Sequence, residues 1–338
     1  IVSRTVLSGL FGMRFAVMAV MAGKLQYNWD LVCANLLFGA NFSFYVSLMR
    51  YWLDFRQIFM LQVLASALLF IPCALFSKRS YRITWRDFGR VFVVALLVIY
   101  GWMYMLLWGA SHTNPIDAST ISTLGPAFTL IAAHVMSRSR LSIVRIAGVV
   151  FALAGAAVLI FDKGVLVARG SEGYGNALVL AAVVAIAVNT VIIKPQLRRL
   201  GTLVVMGWYY IIGLCITAPF FWRYVSSTDF LRLPLSALTE LAYILLLGTV
   251  LPMYLLYRGT EKLTPVHTAL YRYIQPVVAT ALALLRHQER LDRENIVAAA
   301  LIFAGMVLVV FGFSRSASSS ATSREPERTA GDGSRKRP

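Results

Sequence analysis

The sequence predicts an all-α integral membrane protein, with ten transmembrane helices in two inverted five-helix repeats. Three observations carry that expectation. The 338 residues are 59% apolar and only 14% charged, far too apolar for a soluble domain of this length. Ten separate apolar runs are long enough to span a bilayer, which takes roughly 20 residues because the hydrocarbon layer is about 30 Å thick and a helix rises about 1.5 Å per residue. Finally, residues 109–161 align without a gap on 259–311 at a constant offset of 150. Met103-Tyr104 upstream matches Met253-Tyr254, and within the repeat Gly109 matches Gly259, Pro115 matches Pro265 and Pro126 matches Pro276. Further on, Arg140-Leu141 matches Arg290-Leu291, Ala154-Gly155 matches Ala304-Gly305 and Phe161 matches Phe311.

The first element, 1–29, is expected to be an N-terminal extension outside the membrane domain. Its apolar stretch, Phe15 to Ala22, lies between Arg14 and Lys24 and is too short to span. Translation from Met13, Met18 or Met21 explains it better than a signal peptide, whose cleavage would place the new terminus against the charge balance. The first repeat, 30–161, holds runs at 30–49, 56–76, 88–109, 117–137 and 142–161. The second, 175–313, holds runs at 175–194, 203–222, 237–257, 265–286 and 294–313. Backbone amides in lipid must bond within their own segment, so the runs are helices, and no short alternating strands of a barrel are visible. The tail, 314–338, is rich in Ser and Arg without apolar period and reads as a disordered cytoplasmic segment.

Charge placement orients these spans. The formal charge of +17 invites a nucleic-acid reading, but 22 of the 32 Lys and Arg fall on one side when the N-terminus is inside, nine fall on the other, and one lies within a span. That asymmetry is the positive-inside rule, so nucleic acid is not an expected partner, and both termini are expected in the cytoplasm. The strongest anchor is Lys78-Arg79-Ser80-Tyr81-Arg82 through Arg90. The repeat supports inversion, because Arg138, Arg140 and Arg145 have no nearby acid, whereas Arg286, Arg290 and Arg293 are offset by Glu289, Asp292 and Glu294. Five spans per half then make the second copy enter the bilayer upside down, the architecture of carriers with a substrate site between the halves.

Pro-bearing and Gly-bearing helices joined by a short loop close each half. The first reads Thr120-Ile121-Ser122-Thr123-Leu124-Gly125-Pro126-Ala127-Phe128-Thr129, and the second Tyr273-Ile274-Gln275-Pro276-Val277-Val278-Ala279, followed by Glu289-Arg290-Leu291. Over roughly residues 30–313 the chain resembles the drug/metabolite transporter superfamily, and within it the EamA-domain branch, with its L-x-P-x-F and E-P-V … G-E-x-L signatures. Two departures matter. Gln275 stands where many relatives carry Glu, and Ser139 replaces the usual Glu of the first half. The resemblance implies a multi-pass inner (plasma) membrane carrier that moves a small-molecule substrate by alternating access, with a homodimer compatible with it. Within that class the substrate is a small organic metabolite, such as an amino acid or other anion-bearing compound, or else a drug-like or lipid-linked compound for export. A non-transport receptor or an integral-membrane enzyme is the alternative class, but no metal cluster, nucleophile elbow or acid dyad supports an enzyme, and no cofactor is expected.

Polar groups at membrane depth are costly and tend to face a watery cavity. None of the 15 acids lies deep in a span; Asp30, Asp117, Glu240 and Glu294 sit near span ends. Arg272 is the exception among the bases, between Tyr271 and Tyr273, and at helical spacing it shares a face with Thr268, Gln275 and Ala279. A guanidinium suits carboxylate or phosphate; the competing role is an arginine that snorkels or bonds interhelical carbonyls. Asn41 and Asn189 occupy similar places in the two halves, and as amides either line a cavity or stitch helices. Thr120, Thr123 and His134 lie on one side of the fourth run, where a hydroxyl's default role is to bond the preceding turn and the histidine is interfacial. Tyr104 and Tyr254 are repeat equivalents that suit an aromatic wall, whereas Trp108 and Tyr257 near span ends fit an interfacial belt. Gly148, Ala152 and Ala156, with Ala300 and Ala304, read as close helix contacts. Cys33, Cys73 and Cys215 behave as small hydrophobes, and no metal site is expected.

Overall fold

The computed structural model describes residues 2–77, 81–113, 115–137 and 171–287, with isolated positions between 143 and 154 and between 297 and 304. All regular structure among them is helical. Helix α1 runs Val2–Tyr51, with the span-length part from Leu25, and α2 is Phe55–Leu75. Helix α3, Trp85–Ala110, contains a π turn at Ile99–Tyr104. The fourth run is broken into α4, Pro115–Ser122, and α5, Gly125–Ser137. Then come α6, Ser171–Ile192, a short α7, Lys194–Leu200, and α8, Thr202–Ser226. Helix α9, Leu235–Lys262, contains a π turn at Tyr243–Val250, and α10, Pro265–Leu285, contains a 3-10 turn at Tyr271–Tyr273. Seven of these helices are long and apolar enough to cross a membrane: α1, α2, α3, α6, α8, α9 and α10. The expected fifth and tenth spans, 142–161 and 294–313, lie outside the described residues apart from isolated positions, as does the tail.

Local chemistry places the helix ends. Asp54 and Gln57 form a reciprocal capping box at the start of α2, and the Thr84 side chain caps α3. Gly201, at φ 86°, ends α7 in a backbone conformation that favours glycine. Pro126 and Pro276 explain the breaks in the fourth and ninth runs. A proline removes one amide donor and crowds the preceding turn, so α5 restarts at Gly125 and the turn before Ile274 tightens to 3-10. The sequence expectation of one unbroken helix over 117–137 is corrected accordingly.

The two halves interlock with a symmetry visible in their neighbours. Helix α1 packs on α9 and α10, and its repeat counterpart α6 packs on α3 and on α4 and α5. Helix α2 meets the π turn of α9 as its counterpart α8 meets α3, and α2 and α8 pack on each other. The hydrogen bonds between helices fix their directions. Near the start of the span-length part of α1, Asp30 Oδ2 and Oδ1 accept from Arg258 Nε and Nη2 near the end of α9, at 2.7 and 2.8 Å. At the opposite end Ser47 donates to Glu240 at 3.2 Å. Just past α6, Lys194 Nζ donates to the Thr260 carbonyl at 2.8 Å, again near the end of α9. So α6 finishes at the end of the bundle where the span-length part of α1 begins, and the two equivalent helices run in opposite directions.

Repeat-equivalent glycines set two close approaches between helices. A Cβ at Gly109 would sit 2.7 Å from the Gly175 carbonyl oxygen, and one at Gly259 would sit 2.6 Å from Leu31 Cδ2. The first fixes α3 on α6, and the second fixes α9 on α1, which is the same contact made twice between the two halves. Of the small residues expected to mediate packing, Gly148 is buried, whereas Ala300 and Ala304 are exposed on this single chain; Ala152 and Ala156 lie outside the described residues.

Candidate functional site

The two proline breaks meet in the middle of the bundle. Helix α4 packs on the second limb of α10, and α5 packs on its first limb. At this crossing Gly125 faces Arg272: a Cβ on Gly125 would lie 2.9 Å from Arg272 Cδ. The repeat offset places Gly125 opposite Gln275 and Ser122 opposite Arg272. One half therefore supplies a glycine notch and the other fills it with the aliphatic stem of an arginine.

A narrow cavity opens beside this crossing. Its apolar wall is Phe38, Phe42, Trp102, Leu106 and Val183, and its polar groups come from Asn41, Tyr45, Ser122, Arg272 and Gln275. The space is about 20 Å³, room for about one water. Leu36, Leu270, Tyr271 and Val277 line a wider recess of about 440 Å³ on the α1–α10 flank. That recess is almost wholly hydrocarbon and includes the exposed Leu36 and Val277, so it fits a lipid-facing groove better than a site that must hold polar groups.

Side chains around the cavity hold one another in place. Gln275 Nε2 donates to Asn35 Oδ1 at 2.7 Å, and Asn35 Nδ2 donates to the Leu31 carbonyl at 2.7 Å. Asn41 Nδ2 donates to the Gly248 carbonyl at 2.5 Å inside the π turn of α9, and more weakly to the Tyr45 hydroxyl at 3.4 Å. Gly248 admits that amide, since a Cβ there would fall on Asn41 Oδ1. Gln62 Nε2 donates to Tyr45 Oη at 2.8 Å and to Thr249 Oγ1. Such bonds contribute only about 1 kcal/mol each between membrane helices, but together they fix α1, α2, α9 and α10 around one point.

Arg272 differs from every other cation described. It is 6% exposed, yet it makes no hydrogen bond or ion pair among the described residues. The acids are engaged elsewhere: Asp30 with Arg258, Asp87 with Arg199, Glu240 with Arg286, and Glu261 with Lys262. These pairs lie toward the helix ends, and the first three tie helices together. At the end where α9 finishes, burial pushes the Lys194 ammonium down to about 8; Arg198 adds to the shift and Glu261 opposes it.

The structure places the sequence-derived candidates unequally. Arg272, Gln275 and Asn41 line the cavity. Thr268 is buried on the same helix with its hydroxyl unbonded, and Thr123 is buried in the turn between α4 and α5. Tyr271 turns to the apolar recess. Asn189 is one layer away, donating to Tyr257 Oη at 3.1 Å. Tyr104 belongs to an aromatic cluster with Phe55, Phe59 and Phe221, and Tyr254 lies 5.8 Å from the Arg258 guanidinium, so neither reaches the cavity. Tyr257 is 2% exposed and hydrogen-bonded, so it is a core residue and not part of an interfacial belt. Sequence reasoning missed Tyr45, Ser122 and Trp102 in the lining, and Gln62 and Asn35 behind it. The two amides lie within apolar runs, and the rule that singled out Asn41 finds them too; Trp102 and Ser122 carry no such signal.

A family model described as "EamA-like transporter family" matches residues 28–161 and 173–311. The chain belongs to the EamA-like transporter family. The two matched stretches are the two halves seen in the fold. An uncharacterized transporter of Bacillus subtilis (strain 168), YetK, is 22% identical over 249 residues, covering 73% of this chain and 76% of that protein. A WAT1-related protein of Arabidopsis thaliana is 23% identical over 325 residues, 84% of each chain. A protein of Streptantibioticus cattleyicolor named "Probable terminal-alkyne amino-acid exporter" is 26% identical over 226 residues, 66% of this chain and 73% of that one. A solved crystal structure matches the fold with a TM-score of 0.64 at 17% identity, covering 85% of this chain and 98% of that one. The EamA match and the seven apolar helices make the chain a multi-pass membrane transporter.

Proposed function

We propose that this EamA transporter carries a small organic compound bearing a carboxylate, or a similar anionic group, across the inner (plasma) membrane by alternating access. Ten helices in two inverted five-helix repeats rock about the crossing of α4–α5 with α10. The observation that carries the reading is Arg272, a charge buried at the crossing with no partner among the described residues. Leaving an arginine there is costly, and a bound carboxylate relieves the cost through a planar, two-bond contact. Gln275 and Asn41 offer amides to the polar part of the substrate, while Phe38, Phe42 and Trp102 suit an apolar body. The named activity of the Streptantibioticus relative, which concerns an amino acid, supports this substrate class over bulky lipid-linked compounds. Thr268 and Thr123 join the site only if the cavity widens, and Tyr271, Asn189, Tyr104 and Tyr254 support it from outside.

The test is uptake into proteoliposomes containing only this protein. Radiolabelled L-leucine, L-phenylalanine, benzoate and pyruvate represent the carboxylates, and tetraphenylphosphonium represents cationic drugs. Saturable uptake of at least one carboxylate, without uptake of the cation, is expected. Uptake of the cation alone would point to the drug-exporter reading instead.

Orientation has its own check. The excess of basic residues on one side supports both termini being cytoplasmic, so reporters fused after Ser111 and after His287 are expected to report outside, and one fused after Arg140 inside. A cytoplasmic signal at His287 would be incompatible with the inverted arrangement.

A further inference from the structure

We infer that transport is an obligatory exchange of one anion for another, enforced by the uncompensated charge of Arg272. The inference rests on the anion-carrier reading and adds how its cycle is coupled.

A guanidinium stays protonated at any working pH. The carrier therefore cannot neutralise Arg272 by losing a proton, as one built on a carboxylate or histidine can. Nor do the described residues supply a counter-charge. Asp30, Asp87, Glu240 and Glu261 each face another cation. Asp54 and Asp229 accept from backbone amides at helix starts, and Asp117 has contacts of its own in the first turn of α4. The groups beside Arg272 are neutral: Gln275, Asn41 and Ser122 in the cavity, and Tyr257 behind it.

The cavity in this structure has about 20 Å³, room for about one water. Open to either side, the cavity fills with water and the guanidinium is solvated. To switch sides, the carrier must pass through a closed form that strips this water away. With an anion bound, the charge enters that form paired. Without one it is left alone at membrane depth. On the scale measured for inserting arginine into a spanning helix, the unpaired passage is slower by on the order of 100-fold. The loaded carrier crosses in either direction and the empty carrier does not return, so each anion that enters must be matched by one that leaves.

The experiment uses the full chain in chloride-free proteoliposomes. Vesicles are loaded either with a mixture of L-leucine, L-phenylalanine, benzoate and pyruvate, or with sorbitol alone, and entry of each radiolabelled carboxylate is followed. Initial entry at least tenfold faster into the anion-loaded vesicles is expected. Efflux of preloaded label should show the same dependence on an external anion. Equal rates with and without the opposing anion would overturn exchange while leaving the carrier reading intact. Entry of none of the four probes into either vesicle would overturn both. In Arg272→Gln, which has no charge to compensate, residual entry at high probe concentration should lose its dependence on the internal anion. Retained dependence there would place the coupling elsewhere and overturn the inference for Arg272. The wild-type comparison stands by itself if that variant does not insert.

Discussion

Arg272→Ala is expected to weaken carboxylate uptake by roughly 30- to 150-fold in affinity, with the protein still inserted and monodisperse. A lost two-bond contact to a charged group is worth on the order of 2–3 kcal/mol, which sets that range. Arg272→Lys should recover only part of the loss, because an ammonium keeps the charge but lacks the planar fork. The geometry makes the test clean. Removing Arg272 breaks no hydrogen bond or ion pair among the described residues, and the Gly125 notch it leaves can be filled by small shifts. A purely structural arginine would instead give poor insertion or aggregation when truncated. The measurement is uptake at matched protein amounts, and normal uptake by a well-folded Arg272→Ala carrier would remove the anion site.

Gly109→Leu is expected to be the most damaging packing change. Even a Cβ at this position would lie 2.7 Å from the Gly175 carbonyl oxygen, 2.7 Å from Val179 Cγ2 and 3.0 Å from the Val179 amide nitrogen. Two of those atoms are backbone and cannot rotate aside, so α3 and α6 must separate. Overpacking of this kind costs typically about 1–3 kcal/mol, and a full leucine side chain belongs at the upper end. Thermal unfolding in detergent should fall by on the order of 5–10 °C. Gly89→Leu is the control, because nothing lies within 4 Å of a Cβ there. An unchanged midpoint in Gly109→Leu would mean that the two helices do not approach at these glycines.

Both predictions start from residues visible in the sequence, yet only one acquired its role there. Arg272 stood out because it was the one Lys or Arg deep within an apolar run, away from its ends, and the cost of such a charge is a property of the membrane. Gly109 stood out only as a repeat match to Gly259. Its meaning as a contact surface came with α6, which approaches from 60 or more residues away in the chain. Tyr104 and Tyr254 show the converse. Their equivalence by repeat was real, but α2 and α8 draw Tyr104 into an aromatic cluster, and the α1–α9 ion pair occupies the space beside Tyr254. Sequence symmetry preserves position in the helix, not the identity of the neighbour.

What the sequence by itself determined is what depends on the solvent and on the chain's own spacing. Apolar runs must be helices in lipid, because their backbone groups have no other partner. A repeat at constant offset whose halves hold an odd number of spans, as expected here, turns over, and prolines at equal places must disturb both helices they occupy. Opposite running of α1 and α6, and paired breaks at Pro126 and Pro276, follow those rules. Only the tertiary structure decided which polar residues meet. Arg272 and Gly125 are brought together by the crossing of the two broken helices, and Asn41, Tyr45, Gln62 and Thr249 by the packing of α1 and α2 on the π turn of α9. The hydrophobic pattern could not specify those meetings. In a membrane both the lipid-facing and the helix-facing sides of a span are apolar, so periodicity does not mark the inner face, and the contacts are chosen by shape and hydrogen bonding between segments distant in the chain.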